Sequence, residues 1–277
     1  MALTVRTNVS AMQSSGVLTQ TTKSLSKSLL RISSGLRINS ASDDAAGLSV
    51  ATSLQTDAIS LRQAMRNAND GISVVQTAET AADEITDILQ RLRELAVQSA
   101  SETLSDNERS YIDDEYQELV SEIDRIANAT EFNGVSLASG TGDTQLAVQV
   151  GITSNTMTSQ IVITLGDFTA NTGLGLAAVS LTSSTGALAA IDMIDTAIGS
   201  VNSIRSVLGA AQNRIESALD NAQTYMEALS AAESQIRDAD FATETAELTK
   251  LQILQQSGIA ALAQAKNINQ GVISLLQ

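Results

Sequence analysis

Two tight carboxylate clusters are the side chains best placed in this sequence to do chemistry: Asp43-Asp44 and Asp113-Asp114-Glu115. Neighbouring carboxylates divide general acid and general base work when their surroundings drive their pKa values apart. Neither cluster has a histidine nearby in sequence to do so. The chain has no histidine and no cysteine. That removes the commonest general base, the commonest metal ligand, thiolate metal sites and disulfides together. A calcium loop needs regularly spaced oxygen ligands around a turn glycine, and no segment supplies them. Both clusters read as helix caps and solvated helix faces. The sequence is therefore expected to be no enzyme, with no catalytic residue, no cofactor and no metal.

Long helices must position these residues. Proline is absent from all 277 residues, whereas average usage would give roughly 14 at about 5%. A proline costs about 3 kcal/mol inside a helix, so its absence fits long uninterrupted ones. Three Tyr and three Phe are the only aromatics. Packing falls to Leu, Ile, Val and Ala, which suits thin bundles better than a thick core.

Charge is unevenly placed. The net charge of −15 argues against nucleic acid as a partner. Residues 1–42 hold Arg6, Lys23, Lys27, Arg31 and Arg37 but no acid, and residues 251–277 hold only Lys266. All 31 acids lie between Asp43 and Glu247. Both ends are expected to pack away from solvent while the middle faces water. No run reaches the roughly 18 apolar residues of a membrane span, so no membrane partner is expected. The N-terminus lacks the apolar core of a secretory signal. By the usual routes the chain would be cytoplasmic, unless a dedicated export machine reads a flexible N-terminus.

Periodicity divides the chain. Leu18, Leu25, Leu29, Ile32 and Leu36 form a helical stripe near a heptad seam. Residues 1 to about 12 have weak periodicity and are expected to be disordered in an isolated chain. A second helix runs from about 44 to 99, about 80 Å at about 1.5 Å per residue, which predicts a rod. Ser105-Asp106-Asn107-Glu108 has capping-box spacing and starts a third helix, which ends near Asn128. Asn133-Gly134 marks a tight turn. Leu146, Val148 and Val150, then Ile161, Ile163 and Leu165, alternate as strands joined by a turn at 153–155. A fourth helix covers about 187–236.

The last helix carries a stripe of Leu251, Leu254, Gly258, Ala261, Ala265, Ile268, Val272 and Leu275. Ile253, Ile259, Leu262, Ile273 and Leu276 add apolar surface around it, beside a face of Gln and Asn. A helix this apolar is normally buried. The uncharged N-terminal helix alone cannot cover it on every side, so other copies must. The predicted fold is mostly α: a long antiparallel helical rod and coiled-coil bundle built from both chain ends, with a small β-hairpin segment at the tip. Residues 1–42 with 241–277 form a terminal coiled-coil domain. Residues 43–240 form a rod domain, four-helix-like, with its β segment at about 141–186.

Breaks at 39–44 and 237–241 lie at matching positions on the two arms. Gly35, Asn39 and Gly47 relax the backbone, and Asp43 and Asp44 are placed to cap the next helix. An ordinary interhelical loop would also account for the first break.

SSGLRINSASDDAAGL resembles the N-terminal signature of bacterial flagellin, and DADFATETAEL followed by LQILQQSGIAALAQAKNINQGVISLLQ resembles its C-terminal signature. LQRLRELAVQSAS and EIDRIANATEFNGV are similar to the family's inner rod. The resemblance covers residues 1 to about 140 and 187–277, and is silent on 141–186. It implies a minimal flagellin without large outer domains. The KNINQ stretch departs from relatives that carry a proline before the final turns.

The resemblance implies an extracellular subunit of the flagellar filament, exported unfolded by the flagellar type III apparatus without a cleaved signal peptide. Its implied partners are itself as a homopolymer, the filament cap and hook-junction proteins, and a flagellin export chaperone on the last helix. The stripe residues above would pack the inner tube. Gly35, Asn39, Asp43, Asp44 and Gly47 would form the spoke to the outer tube. Gln90, Arg91, Leu95 and Glu115 match the surface that a host innate immune receptor recognises on many flagellins; a plain surface ion pair is the other reading. The Ser/Thr-rich segment at 151–185 fits O-linked glycans. A hook–filament junction protein shares such ends and stands as the alternative function, with a soluble signalling coiled coil behind it.

Overall fold

A computed structural model describes residues 7–140, 145–177 and 179–274, with side chains as far as Asn267. The elements run α1 (Val9–Ser34), α2 (Ala45–Ala100), α3 (Asp106–Ala129), β1 (Glu131–Phe132), β2 (Val135–Ser136), β3 (Gln145–Gln149), α4 (Thr156–Ser159), β4 (Gln160–Thr164), α5 (Ser184–Arg237) and α6 (Phe241–Ser274). The fold is mostly α, with long helices from both ends and two small antiparallel sheets, as the periodicity predicts.

Helix ends arise from local chemistry. The α1 helix begins at Val9, inside the stretch expected to be disordered. Asn8 explains this, since its side chain accepts from the Ala11 N–H at 2.9 Å. Residues 1–6 lie outside the described residues. Asp44 caps α2 by accepting from the Gly47 N–H at 2.9 Å. At the other end of α2, the buried Arg109 reaches back from α3 and donates to the Ser99, Ser101 and Leu104 carbonyls. It satisfies acceptors that a helix C-terminus leaves open. The capping box at Ser105 and Glu108 forms as the spacing predicts. Asn133 (φ 51°) and Gly134 (φ 78°) supply the paired left-handed conformations that a two-residue hairpin turn requires.

The chain divides into two compact units, Asp57–Glu227 and Met1–Thr56 with Ala228–Gln277. The divisions fall within α2 and α5, not at the breaks where composition changes.

Within Asp57–Glu227, Ile85, Leu89, Leu92 and Leu95 of α2 meet Tyr116 and Ile123 of α3 and Ala190, Ile194 and Val201 of α5. The loop carrying Phe168, Leu176 and Leu181 closes this three-helix core. Asp113 and Asp124 tie that loop down, accepting from the Leu181 N–H at 2.5 Å and the Ala170 N–H at 2.7 Å. A second cluster packs the β3–β4 hairpin on Ala68, Val75 and Ala78 of α2 and Leu208 and Ile215 of α5. Leu146 pairs with Ile163 and Val148 with Ile161, so the alternating apolar residues share the inner face. The hairpin thus lies along the flanks of α2 and α5. By length and composition α5 contains a stretch apolar enough to cross a membrane; in this fold its Ala190, Ile194, Ala197 and Val201 are buried against α2 and α3.

Candidate self-assembly surface

In the unit formed by Met1–Thr56 and Ala228–Gln277, α1 and α6 pack antiparallel. Asn8 donates to the Ala265 carbonyl at 2.9 Å, and Ser28 donates to the Glu244 carbonyl at 3.4 Å. The positions of α1 that are at least partly covered include Ala11, Ser14, Leu18, Thr21, Leu25, Ser28 and Ile32, a three–four alternation, with Ser24 and Arg31 beside it. Every second layer is a hydroxyl residue, which the apolar stripe alone does not reveal. On α6 the covered positions are Glu244, Thr245 and Glu247 in the first turns, then Leu248, Leu251, Gln255, Gly258, Leu262 and Ala265. Gly258 lies opposite Leu18, where an added methyl would meet the leucine at 3.4 Å, an ordinary contact.

Within the chain this seam covers only part of the predicted stripe. Leu18, Leu25, Ile32, Leu36, Leu251 and Ala265 are at least partly covered. Leu29, Leu254 and Ala261 are exposed. They point elsewhere because α6 is apolar nearly all round, and the Gln255–Leu262 line is the one that meets α1. Ile268, Val272 and Leu275 lie outside the described side chains. Val9, Met12, Val17 and Leu30 of α1 and Ile253 and Ile259 of α6 are also exposed, each at 52% or more. Fully burying such a side chain is worth about 1.5–3 kcal/mol, so both helices present apolar surface that the described residues leave uncovered.

The two breaks face each other. Leu36 and Asp238 form an isolated antiparallel bridge. The Arg37 N–H donates to the Arg237 carbonyl at 2.7 Å, and the Ala239 N–H to the Gly35 carbonyl at 2.9 Å. The Arg37 guanidinium donates to the Ile236 carbonyl at 2.6 Å. Gly35 ends α1 in the left-handed conformation at φ 73°. Asp43 accepts from the Lys27 ammonium at 2.6 Å and from the Asn39 and Ser40 N–H groups. Lys27 first, then the Asn39 amide, hold the Asp43 carboxyl down at about 2. Asp240 repeats the device on the other arm, capping α6 through the Ala242 N–H and the Thr243 hydroxyl; these bonds lower its pKa. Gly47 packs against Ile38, which is 3% exposed and which the sequence pattern does not single out. A lone isoleucine between Arg37 and Asn39 is the only signal available there.

The Asp43-Asp44 pair is thus used in capping and in the Lys27 bond. In the other cluster, Asp113 holds the loop and Glu115 accepts from Arg91 at 2.7 Å. Arg91 also donates to Glu94 at 3.0 Å. Its pKa is raised, first by the Glu115 hydrogen bond. Gln90, Arg91 and Glu115 are exposed on the adjoining helices α2 and α3. Leu95 does not join them. It is 1% exposed, because its position on α2 turns it into the core beside Leu92. Among the described residues, no group of three acidic side chains is placed to hold a metal ion.

Residues 5–143 match the bacterial flagellin N-terminal helical region, and residues 191–276 match the bacterial flagellin C-terminal helical region. A flagellin from Halalkalibacterium halodurans is 46% identical over 251 residues, 91% of each chain. The chain belongs to the bacterial flagellin family. The flagellar filament 33 kDa core protein of Treponema phagedenis is 42% identical over 283 residues, covering 98% of each chain. The crystal structure of Bacillus cereus flagellin matches with a TM-score of 0.50 at 31% identity, over 57% of this chain and 88% of that one. A putative flagellar hook-associated protein from Vibrio parahaemolyticus shares the fold, with a TM-score of 0.59 at 16% identity over 71% of this chain and 100% of that one. As a flagellin, the chain is a structural subunit of the extracellular flagellar filament, and the family implies self-polymerisation.

Proposed function

We propose that the α1–α6 pair is the principal polymerisation element of this flagellin, and that neighbouring copies cover the apolar surface it leaves open. The exposure of Val9, Met12, Val17, Leu29, Leu30, Ile253, Leu254 and Ile259 around a seam that covers only one side of each helix carries this reading. The inner-tube contacts are Leu18, Leu25, Leu29, Ile32, Leu36, Leu251, Leu254, Ala261 and Ala265 together with that surface. The spoke is the bridged pair of breaks: Gly35, Asn39, Asp43, Asp44 and Gly47 on one arm and Asp238–Asp240 on the other. A chain delivered unfolded through the type III export apparatus, with a chaperone shielding α6, folds this pair beneath the cap as it joins the filament. Deleting residues 251–277 tests the reading. Seeded filaments, scored by pelleting, are expected to stop growing while the Asp57–Glu227 unit keeps its helical melting. Growth at the parental rate would sink it.

The exposed set Gln90, Arg91 and Glu115 supports a second reading, recognition by a host innate immune receptor. The Arg91–Glu115 bond at 2.7 Å joins exposed polar groups of two helices, which offers a protein partner one combined target.

A further inference from the structure

The Asn133-Gly134 turn of the β1–β2 hairpin sets a carboxamide beside a backbone nitrogen that nothing else engages. Both residues are exposed. Among the described residues, neither the Asn133 carboxamide nor the Gly134 N–H makes a hydrogen bond. A methyl added at Gly134 would meet nothing within 4 Å, so the nitrogen is open to approach. The sequence contains this Asn-Gly step once.

Conformation matters as much as access. Positive φ at both residues, 51° and 78°, is the pattern of a type I′ turn. A type II′ turn keeps positive φ at its first central residue only. Rotating the one peptide plane between Asn133 and Gly134 interconverts the two, and glycine accepts either sign of φ. The rotation swings the Gly134 nitrogen toward the Asn133 side chain, and no bond of the Gly134 N–H opposes it. Other asparagines lack one of these features. Asn8 and Asn155 use their carboxamides as caps. Asn39 precedes Ser40, whose N–H is held by Asp43, and Asn171 precedes the β-branched Thr172. Asparagines inside α2, α3 and α5 precede N–H groups held in helical hydrogen bonds.

We propose that Asn133-Gly134 is a site of spontaneous covalent rearrangement in the folded subunit, with water as the co-reactant. The Gly134 nitrogen bonds to the Asn133 side-chain carbonyl carbon, the C–NH2 bond breaks, and ammonia leaves with the amide proton. Water then opens the resulting five-membered imide at one of its two C–N bonds. Opening at the side-chain carbonyl gives aspartate; opening at the backbone carbonyl gives isoaspartate, with one extra carbon in the main chain. Aspartate still accepts the left-handed conformation. The extra carbon does not fit a turn closed by two residues between Phe132 and Val135. Beyond that turn, Leu137 and Ala138 are 1% and 0% exposed and enter the two core clusters, so the isoaspartyl form loosens a hairpin that both clusters share.

The test incubates the folded subunit in heavy-oxygen water at mildly alkaline pH and maps it by peptide mass spectrometry, with the urea-denatured chain as reference. The peptide carrying residue 133 is expected to lose its amide and gain heavy oxygen at least about tenfold faster than any other asparagine peptide, since helical asparagines react only through local opening. Part of the product is expected to accept a labelled methyl group from an isoaspartyl methyltransferase, which leaves ordinary aspartate unmodified. Asn133→Asp carries the new charge without the extra carbon and is expected to melt as the parent, while isoaspartyl chains melt lower. Reaction at Asn133 no faster than at other asparagines, in a chain whose denatured form reacts there first, would overturn the proposal. Conversion to aspartate alone would overturn it too, because direct hydrolysis needs no ring. Isoaspartyl chains that melt with Asn133→Asp would overturn the effect on the hairpin.

Discussion

The two compact units differ in what they bury. All the largest fully buried side chains, from Tyr116 and Phe168 to Ile194, belong to Asp57–Glu227. The unit formed by the chain ends buries Ile38, Ala51, Leu229, Leu251, Ala265 and the polar Ser28. Its seam alternates apolar residues with Ser14, Thr21 and Ser28, and sets Leu18 against Gly258. Large interlocking side chains supply most of a core's stability, and small or hydroxyl residues supply little. One unit therefore buries large side chains within the chain, whereas the other leaves apolar surface that, on the proposed reading, copies cover.

Matched substitutions break this comparison most directly. Leu89 is fully buried among α2, α3 and α5, so Leu89→Ala is expected to destabilise the lone subunit by about 2–5 kcal/mol. Leu251 is the most buried large side chain of the α6 seam at 7%, yet Leu251→Ala is expected to leave the main thermal transition of the lone subunit unchanged and to slow seeded growth. Equal effects of the two on lone-subunit melting would erase the distinction between the units.

A smaller effect sharpens it from the helix end. The Ser105 capping box satisfies the first turn of α3, so Ser105→Ala is expected to lower stability by about 1 kcal/mol. Thermal or urea unfolding of the lone subunit reads this, because α3 belongs wholly to the complete unit.

These elements also mark what is legible in the sequence alone. Every helix longer than α4, both strands of the main hairpin, the capping box and the Asn133-Gly134 turn come from period, cap and turn chemistry, which are local. The partner-facing side of α6 does not. When apolar residues surround a helix, period alone cannot choose between the Leu254–Ala261 line and the Gln255–Leu262 line, and the choice falls to the geometry of α1. The motif misplaces Leu95 for a related reason: it names residues that neighbour one another in sequence without saying which side each faces. The Arg37 and Arg109 bonds to backbone carbonyls are invisible in the sequence because guanidinium-to-carbonyl caps have no spacing rule. The hairpin's place on the helix flanks depends on contacts between residues 68–78, 146–165 and 208–215, separations that no local pattern encodes.

The bridged breaks offer a pH test of the labile unit. Asp43 is held at about 2, below its ordinary 3.8, so its contribution is present above about pH 4 and is lost as pH falls toward 2. Its carboxyl resonance is expected to titrate near 2 in the parent and higher in Lys27→Ala, because the Lys27 bond is the largest cause. A parental midpoint at the ordinary value would show that Lys27 and Asp43 do not hold this arm together.

The smallest structural effect belongs to Arg91, and it separates folding from recognition. Its pairs with Glu115 and Glu94 lie at the surface, where ion pairs contribute little to stability. The core beneath is built from Leu92, Leu95 and Tyr116, which Arg91→Ala leaves in place. The melting temperature and seeded growth are expected to match the parent's, while the response in an innate-receptor reporter assay falls. An unchanged response would leave Gln90, Arg91 and Glu115 as an ion-paired surface and no more. A fall accompanied by a lower melting temperature would instead place Arg91 with Arg109, among the arginines that hold helix to helix.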